Sequence, residues 1–433
     1  MTSELDLLRS LDDEPPSPST VDIQRAIAGG RRRRALRSAG YAGVATVTAL
    51  AVAGVSFAAG VFEDAPSHTA ATGTPRTATA TANAAPKPEY TIPGTPGWSA
   101  PAATPPSSCR LERLPVPDDA PKALVSGADP GGRYLVGRSY PKGGGYQAVI
   151  WHNGRGEKVM LPGDLEESLR DVNSTGTAVG WSYLGGGDTD ARQVPYVYHD
   201  GKVAQLKGVS QGSANAINDA GAIVGDDTAQ AALVWPSATA QPIRLPVPTG
   251  TTQATAIDID TDGTTVGTVD NARPYVWFPD GTHRELAMPS LDGGPATVAR
   301  VFSIRNGWAT GVASNGLGPM GGNPAVDPTR SAGREKEVRR GAVRWNVRTG
   351  EVRVFAELGI GAGVPNAQGW QVGTDRQGRA VLLADGATVL LPGLTKRGGL
   401  SDLPNTLSDD GRTVGGQSDD ATGTIQAVVW HCR

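Results

Sequence analysis

The sequence predicts an all-β fold, a seven-bladed β-propeller. The pattern Gly-x-x-[Val/Thr]-Gly occurs six times, at Gly176–Gly180, Gly221–Gly225, Gly263–Gly267, Gly307–Gly311, Gly369–Gly373 and Gly411–Gly415. A looser copy ends at Gly137, and the last glycines of the seven copies are 43, 45, 42, 44, 62 and 42 residues apart. A complete copy contains four short apolar runs, and repeats of four strands at about 40–45 residues are typical of propeller blades.

In six of the seven copies the third run ends in an aromatic residue. In the sixth copy it ends in Leu383. The aromatic residues are Trp151, Tyr198, Trp235, Trp277, Trp345 and Trp430. A turn such as Asn153-Gly154 or Asp280-Gly281 then leads into the fourth run. Asn-Gly and Asp-Gly favour tight hairpins because these residues tolerate a positive φ. The four runs are therefore predicted to be four antiparallel strands.

The two ends of the repeat array complement each other. The seventh copy stops after its third strand, at 430–433, and the missing fourth strand is supplied at Cys109–Pro117. Within it, Arg113–Pro117 is identical to Arg244–Pro248, the fourth strand of the third copy. The N-terminal strand is therefore predicted to complete the last blade and close the ring.

The only two cysteines, Cys109 and Cys432, fall on these two neighbouring strands. Antiparallel pairing places them side by side, which predicts a disulfide between them. The alternative is two unpaired thiols. A cross-link that closes a loop of this length stabilises the fold by roughly 5 kcal/mol in the chain-entropy model.

The third strands resemble those of the HAF extracellular repeat family, which typically run His-Ala-Phe-x-Trp. The matching segments are Gln147–Trp151, Ala231–Trp235, Gly341–Trp345 and Gln426–Trp430, which keep the Ala and Trp of the family pattern but not its His and Phe. The resemblance covers about three-quarters of the chain. It implies a repeat fold and a secreted or surface location, and it carries no catalytic residues across.

The N-terminal region predicts a single-pass membrane protein. Residues 1–38 form a polar tail that ends in Arg31–Arg34 and Arg37, and residues 39–62 follow without a charge. A helix of this length crosses the hydrocarbon core, and the arginines place the tail in the cytoplasm. The alternative is a cleaved signal peptide. Residues 63–108, rich in Ala, Thr and Pro, are predicted to be a disordered linker, and residues 109–433 the propeller.

One sequence pattern predicts a metal site. Asp258, Asp260 and Asp262 alternate before Gly263, as in the first half of a calcium loop. The second half does not match, and the alternative is that Asp260 is a turn residue that bonds its own backbone. Calcium is thus the one cofactor hypothesis. The acidic pairs at 166–167 and 226–227 are interpreted as solvated loop residues.

No catalytic motif stands out, and the net charge of −3 gives no basic field that would attract nucleic acid. The predicted function is a monomeric binding or scaffold module at the cell envelope, with a protein or glycan partner. The alternatives are a propeller enzyme that hydrolyses or eliminates envelope glycans, and a sensor that signals through the cytoplasmic tail. Two insertions, at 314–340 in the fifth copy and at 183–192 in the second, are candidate binding loops.

Overall fold

The computed structural model describes residues 103–163, 166–185, 191–292, 294–315, 339–359, 363–395 and 402–433. These residues belong to one compact unit made of β-strands, with one short 3-10 helix at Pro117–Asp119. The predicted tail at 1–38, the predicted membrane helix at 39–62 and residues 63–102 of the predicted linker lie outside the described residues. No helix in the described part of the chain is long and apolar enough to cross a membrane.

The first three blades are four-stranded antiparallel sheets whose strands follow chain order. Blade 1 contains β2 (Lys122–Ala128), β3 (Tyr134–Tyr140), β4 (Gln147–His152) and β5 (Arg155–Val159). Blade 2 contains β6 (Glu167–Val172), β7 (Ala178–Leu184), β8 (Arg192–His199) and β9 (Lys202–Gln205). Blade 3 contains β10 (Gly212–Ile217), β11 (Ile223–Asp227), β12 (Ala232–Trp235) and β13 (Ile243–Arg244).

Blades 4 and 5 follow the same plan, and blade 6 departs from it. Blade 4 contains β14 (Ala254–Ile259), β15 (Thr265–Val269), β16 (Arg273–Trp277) and β17 (His283–Glu285), and a small hairpin of β18 (Ser290–Leu291) and β19 (Gly294–Pro295) follows it. Blade 5 contains β20 (Val298–Arg305), β21 (Trp308–Ser314), β22 (Arg340–Asn346) and β23 (Val352–Phe355). Blade 6 has three strands, β24 (Gln371–Thr374), β25 (Ala380–Ala384) and β26 (Ala387–Leu390), and an isolated bridge from Pro365 to Gln371 stands where its first strand belongs.

The seventh blade closes the ring as the sequence predicts. It contains β27 (Asp402–Pro404), β28 (Thr413–Asp419) and β29 (Ile425–Cys432), and the N-terminal β1 (Cys109–Arg113) pairs antiparallel with β29 as its outer strand. Cys109 lies opposite Cys432 in this pairing, and the two form a disulfide. Both the seven-bladed fold and the disulfide are confirmed.

The hydrophobic core lies between the blades rather than at one centre. Seven clusters of buried apolar residues occupy the interfaces between consecutive blades in the described structure, including the one between blades 7 and 1. The interface between blades 2 and 3, for example, packs Val179 and Val197 against Ile217 and Ile223. Each blade therefore buries its apolar faces only against its two neighbours.

The two glycines of the repeat have separate structural reasons. The first ends the turn between the first and second strands with a positive φ, as at Gly221 (82°) and Gly263 (89°), a conformation that favours glycine. The second lies opposite a β-bulge in the first strand, where a Cβ would collide with a carbonyl oxygen, as at Gly225 against Ser213. In blade 7 this close approach falls on Gly416 rather than on Gly415, because the preceding turn is one residue longer.

The recurring tryptophan joins five of the seven blades, blades 1, 3, 4, 5 and 7, to the blade before it. The indole N–H donates to a backbone carbonyl near the end of the preceding blade's outer strand. The pairs are Trp151 with Pro115 (2.7 Å), Trp235 with Lys207 (2.9 Å), Trp277 with Pro246 (2.6 Å), Trp345 with Ala287 (2.7 Å) and Trp430 with Pro392 (2.7 Å). The aromatic position of the repeat is thus an inter-blade connector.

The last residues of the predicted linker are docked on the propeller. Pro106 is buried, Ala103 packs against the cluster between blades 6 and 7, and the backbone N–H of Ser107 donates to the carbonyl of Arg433 at 2.7 Å. The prediction of an unpacked linker as far as residue 108 is therefore wrong for 103–108. Residues of low hydrophobicity can still be ordered when a sheet edge offers hydrogen-bond partners.

Reduction of the disulfide tests the ring closure. Because Cys109 and Cys432 are 323 residues apart, reduction is expected to lower the free energy of unfolding by up to roughly 5 kcal/mol. The measurement is urea denaturation of the purified protein with and without dithiothreitol. The control is the double variant Cys109→Ser/Cys432→Ser, which should not respond to dithiothreitol. An unchanged midpoint in the wild-type protein would contradict the prediction.

Substitution of the two repeat glycines tests their separate roles. Gly225→Ala is expected to lower the free energy of unfolding by about 1–3 kcal/mol, because the methyl group must displace the bulge of β10. The matched control is Gly221→Asn, since Asn tolerates a positive φ and no atom lies within 4 Å of a Cβ at Gly221. The measurement is urea denaturation. Equal losses of unfolding free energy in the two variants would contradict the separate roles of the two glycines.

Candidate functional site

The propeller has two ends that differ in their connections. At the turn end, short turns join the first strand of each blade to the second and the third to the fourth. At the loop end, connections of varied length join the second strand to the third and each blade to the next. Both candidate insertions lie at the loop end, between β7 and β8 and between β21 and β22.

The turn end is held by hydrogen bonds that run around the whole ring. Each bond joins the turn of one blade to the turn of the next. The bonds run from Asn173 to Asn218 O (3.2 Å), Asn218 to Asp260 O (3.1 Å), Asn306 N to Asp260 Oδ1 (3.1 Å), Asn306 to Ala367 O (2.9 Å), Asn366 to Asp409 O (3.3 Å), Asp409 N to Pro130 O (2.8 Å) and Arg133 to Ser174 O (2.9 Å). The polar turn residues of the repeat therefore have a structural role.

An ion pair crosses the same end. The Nε atom of Arg305 in blade 5 donates to Asp409 Oδ1 of blade 7 at 2.7 Å, and a second guanidinium N–H donates to Asp409 Oδ2. The Nη1 atom of Arg305 also donates to Thr261 Oγ1 of blade 4 at 3.0 Å. Burial alone would lower the pKa of Arg305, but the hydrogen bonds to Asp409 hold that pKa above its usual range. Arg305 thus stabilises the turn end across three blades.

The three predicted calcium ligands belong to this structural set and are not gathered around one point. Their carboxylates accept hydrogen bonds from different donors: Asp258 from Ser303 Oγ (2.7 Å) and Ile304 N (2.8 Å), Asp260 from Gly307 N (2.7 Å) and Thr261 N (2.7 Å), and Asp262 from Thr264 Oγ1 (2.8 Å) and Arg348 (2.6 Å). No group of three His, Cys, Asp or Glu side chains in the described ranges is placed to hold a metal ion. The turn role of Asp260, the alternative interpretation, accounts for its position.

Charged side chains lie deep on the inner strands, close to the axis of the ring. Arg170 occupies the bulge of β6, and Asp171 follows it. All three of Arg170, Asp171 and Asp258 are half-buried although they are on the innermost strands. Burial and the nearby Asp258 carboxylate raise the pKa of Asp171 to about 8, and burial raises the pKa of Asp258 to about 6. Each aspartate also accepts a hydrogen bond from a backbone N–H of the next blade. Asp171 accepts from Ile217 of blade 3 at 2.9 Å, and Asp258 accepts from Ile304 of blade 5 at 2.8 Å.

The loop end of blades 1 to 3 carries a cluster of half-buried aromatic and charged side chains, which we name the blade 1–3 patch. It consists of Arg138, Tyr140, Tyr146, Glu166, Arg170, Trp181, Tyr183, Gln193 and Asp226. The Arg138 guanidinium lies 4.6 Å from the ring centroid of Tyr146, and its Nε atom donates to Tyr140 Oη at 3.0 Å. In blade 2, the rings of Trp181 and Tyr183 meet edge to face at 5.3 Å.

Polar contacts connect the patch from one blade to the next. Tyr183 donates to Gln193 Oε1 at 3.3 Å, and Gln193 donates to Ser213 Oγ of blade 3 at 2.7 Å. Burial, together with the charge of Glu166, raises the pKa of Tyr146 to about 12, so its hydroxyl stays a hydrogen-bond donor at any physiological pH. Hydrogen bonds therefore connect blade 2 to blade 3 at the patch, and the charge of Glu166 acts on Tyr146 of blade 1.

One repeat position within the patch differs between blades 1 to 3 and the other four blades. The residue that follows the second glycine is Arg138, Trp181 and Asp226 in blades 1 to 3, and Thr268, Val312, Thr374 and Gln417 in blades 4 to 7. The blade-forming positions are shared by all copies, so this position is not constrained by the fold. A large or charged residue there in three adjacent blades indicates a local function.

The structure corrects the interpretation of the acidic pairs as solvated loops. Glu167 is buried and accepts hydrogen bonds from Ala148 N (3.1 Å), Leu161 N (3.0 Å) and the side chain of Gln147, so that it ties blade 2 to blade 1. Burial raises the pKa of Glu167 to about 7. Asp226 is half-buried beside Asn215. Sequence pattern alone gave no signal for the contacts of Glu167, because they join different repeats.

The insertion at 183–192 borders the patch, since Tyr183 and Gln193 are both members of it. Residues 186–190 of that insertion and 316–338 of the larger insertion lie outside the described residues. The ends of the larger insertion are joined at Asn315, whose backbone N–H donates to Arg339 O at 3.2 Å and whose side chain accepts from Arg339 N at 2.9 Å. The patch residues themselves were not predicted from the sequence; only the smaller insertion pointed to this place.

The sequence matches no protein-family model and no curated protein. Among solved structures, the chain is similar to YCF48 bound to D1 peptide, at 11% identity over 77% of this chain and 99% of that chain, with a TM-score of 0.44. It is also similar to YCF48 from Cyanidioschyzon merolae, at 10% identity over 75% of this chain and 98% of that chain, with a TM-score of 0.43. Similarity at this level supports no inference about function, and the fold assignment rests on the sheets themselves.

The raised pKa of Asp171 predicts a pH dependence of stability. In the unfolded chain an aspartate titrates near 4, and in the folded protein Asp171 titrates at about 8. Between these values the folded state binds more protons, so stability is highest at the acidic end and falls as the pH rises towards 8. Asp171→Asn is expected to remove part of that fall, because Asn keeps the acceptor for the Ile217 N–H without the charge.

Urea denaturation at pH 5, 6.5 and 8 measures this difference. The matched control is Asp270→Asn, because hydrogen bonds from Thr252 and Arg273 outweigh burial and lower the pKa of Asp270 to about 2, outside this range. The control should lose stability between pH 5 and 8 as steeply as the wild-type protein. If Asp171→Asn did the same, the assignment of a high pKa to Asp171 would be wrong.

Proposed function

We propose that this chain is a membrane-anchored binding module of the cell envelope, and that the blade 1–3 patch binds a partner protein. In this proposal residues 1–38 are cytoplasmic, residues 39–62 span the membrane, and a monomeric propeller is displayed outside the cytoplasm. The disulfide supports that location, since structural disulfides persist in oxidising compartments. The HAF-type repeat pattern supports it as well.

The single observation that carries the proposal is the concentration of Trp, Tyr and Arg at the loop end of blades 1 and 2, beside Asp226 of blade 3. These residue types are enriched among the residues that contribute most of the binding energy at protein interfaces. Trp and Tyr bury a large area at a low cost in conformational entropy, and Arg offers a planar fork of hydrogen-bond donors. The side chains are half-buried, so they are held in place and still accessible. A patch that spans three blades also suits a protein surface better than a single small ligand.

A hydrolytic enzyme is the second candidate, favoured by one observation. Asp171 and Asp258 lie near each other at the axis with pKa values of about 8 and about 6, and paired acids with separated pKa values are typical of acid–base catalysis. Their backbone hydrogen bonds to the next blade account for the same burial. Loss of envelope-glycan cleavage in Asp171→Asn, with partner binding intact, would favour the enzyme.

Crosslinking on intact cells tests the binding proposal. In cells that naturally produce the protein, a membrane-impermeant amine-reactive crosslinker should join the propeller to its partner. The double variant Trp181→Ala/Tyr183→Ala is expected to reduce the amount of partner recovered at least about tenfold, because aromatic anchors each contribute roughly 2 kcal/mol or more. The control is Leu390→Ala, an exposed apolar residue on blade 6.

Three results would count against the proposal. Equal recovery with the double variant would exclude the patch as the binding surface. Recovery only with a membrane-permeant reagent would contradict the extracytoplasmic location. Capture of envelope glycan instead of protein, with the same dependence on Trp181 and Tyr183, would replace the protein partner by a glycan.

A further inference from the structure

Two arginines of the blade 1–3 patch have no carboxylate partner among the described residues. No carboxylate oxygen lies within 4.0 Å of the guanidinium of Arg138 or of Arg170, although other arginines of the propeller, such as Arg305 and Arg348, form ion pairs. Arg170 also donates no side-chain hydrogen bond to any described residue. A deeply placed cation without a partner is costly, so its retention points to a ligand.

The acidic groups nearest to these arginines are already engaged. Asp171 accepts the Ile217 N–H at 2.9 Å, and Asp226 accepts hydrogen bonds from Asn215 and Ser213. Burial raises the pKa of Asp171 to about 8, so Asp171 is largely neutral at pH 7. Burial raises the pKa of Asp226 only to about 6, so Asp226 is mostly ionised there, but it forms no ion pair with either arginine in the described structure. Glu166 interacts with Tyr146 at the rim of the patch.

The two guanidinium groups are close enough to repel each other. Burial and the charge of Arg138 lower the pKa of Arg170 to about 10, although Asp226 and Asp171 act in the opposite direction. Arg138 cannot turn away freely, because its Nε atom is bonded to Tyr140 Oη and its plane lies beside the Tyr146 ring. The Nη atoms of Arg138 make no hydrogen bond within the described residues.

We infer that Arg138 and Arg170 together bind a carboxylate side chain in an acidic segment of the partner protein, with Tyr146 and Trp181 beside it. An oxyanion between the two guanidinium groups would neutralise both charges, and the planar fork of arginine matches a carboxylate in two parallel hydrogen bonds. The inference rests on the proposed function and names the chemistry that the patch recognises.

Fluorescence anisotropy with a labelled hexaglutamate peptide tests the inference on the purified full chain. Arg138→Gln and Arg170→Gln are each expected to weaken binding about tenfold or more, the usual loss for a hydrogen-bonded charge. Arg170→Lys, which keeps the charge and loses the fork, should retain part of the binding. The matched control is Arg376→Gln, an exposed loop-end arginine of blade 6 that donates to Ala356 O. Added salt should weaken binding.

Several outcomes would overturn the inference. These are no binding of hexaglutamate, equal binding by a hexaglutamine peptide, or the same loss in Arg376→Gln as in Arg170→Gln. Binding of inorganic phosphate or of a uronic-acid oligosaccharide through the same arginines, without binding of hexaglutamate, would replace the peptide by a free oxyanion or a glycan. The two proposals can fail separately. If the Trp181→Ala/Tyr183→Ala variant loses the crosslinked partner but hexaglutamate does not bind, the proposed function stands and only the inference of an acidic segment is rejected.

Discussion

The antiparallel pairing of β1 with β29 is the interaction on which the rest of the fold depends. A propeller has no central core, and each blade buries its apolar faces only against its neighbours. An open array would therefore expose one face of blade 1 and one face of blade 7. The pairing joins the two ends of the described propeller in one sheet, and the Cys109–Cys432 disulfide fixes it covalently. The apolar cluster between blades 7 and 1, which includes Val125 and Val429, exists only because the ring is closed.

The repeat could be read from the sequence because each of its features answers a local constraint. The turn glycines need a positive φ, the second glycine must face a bulge, and the tryptophan needs a carbonyl on the preceding blade. Such constraints recur in most copies and leave a periodic signal. Blade 7 shows where the repeat pattern fails. A longer turn moves the close approach to Gly416, while the sequence pattern still ends at Gly415.

The residues of the proposed binding patch leave no such signal, because they occupy positions at which the copies differ. Arg138 and Trp181 occupy the same repeat position, and nothing in either segment alone says that they lie at one end of adjacent blades. For Asp258, Asp260 and Asp262 the sequence contains a local pattern, the basis of the calcium hypothesis, that the partners of these residues do not support. Alternating carboxylates in a strand and turn resemble half of a metal loop, but the first two accept N–H donors of blade 5, and the third pairs with Arg348. Partners that lie a whole repeat away are invisible to a local pattern.

The two ends of the ring have different roles: the turn end stabilises the fold, and the loop end of blades 1 to 3 is the proposed recognition surface. At the turn end every blade donates to or accepts from the next, and Arg305 with Asp409 ties distant blades together, so a substitution there acts on stability. At the loop end of blades 1 to 3, two guanidinium groups lie near each other without a carboxylate partner in the described structure, and Arg170 is held there at a reduced pKa. Proteins tolerate locally unfavourable arrangements where function requires them, since the remaining fold supplies the stability. The closed ring makes that arrangement possible, because an end that is fixed by its neighbours on both sides can hold like charges in place until a ligand neutralises them.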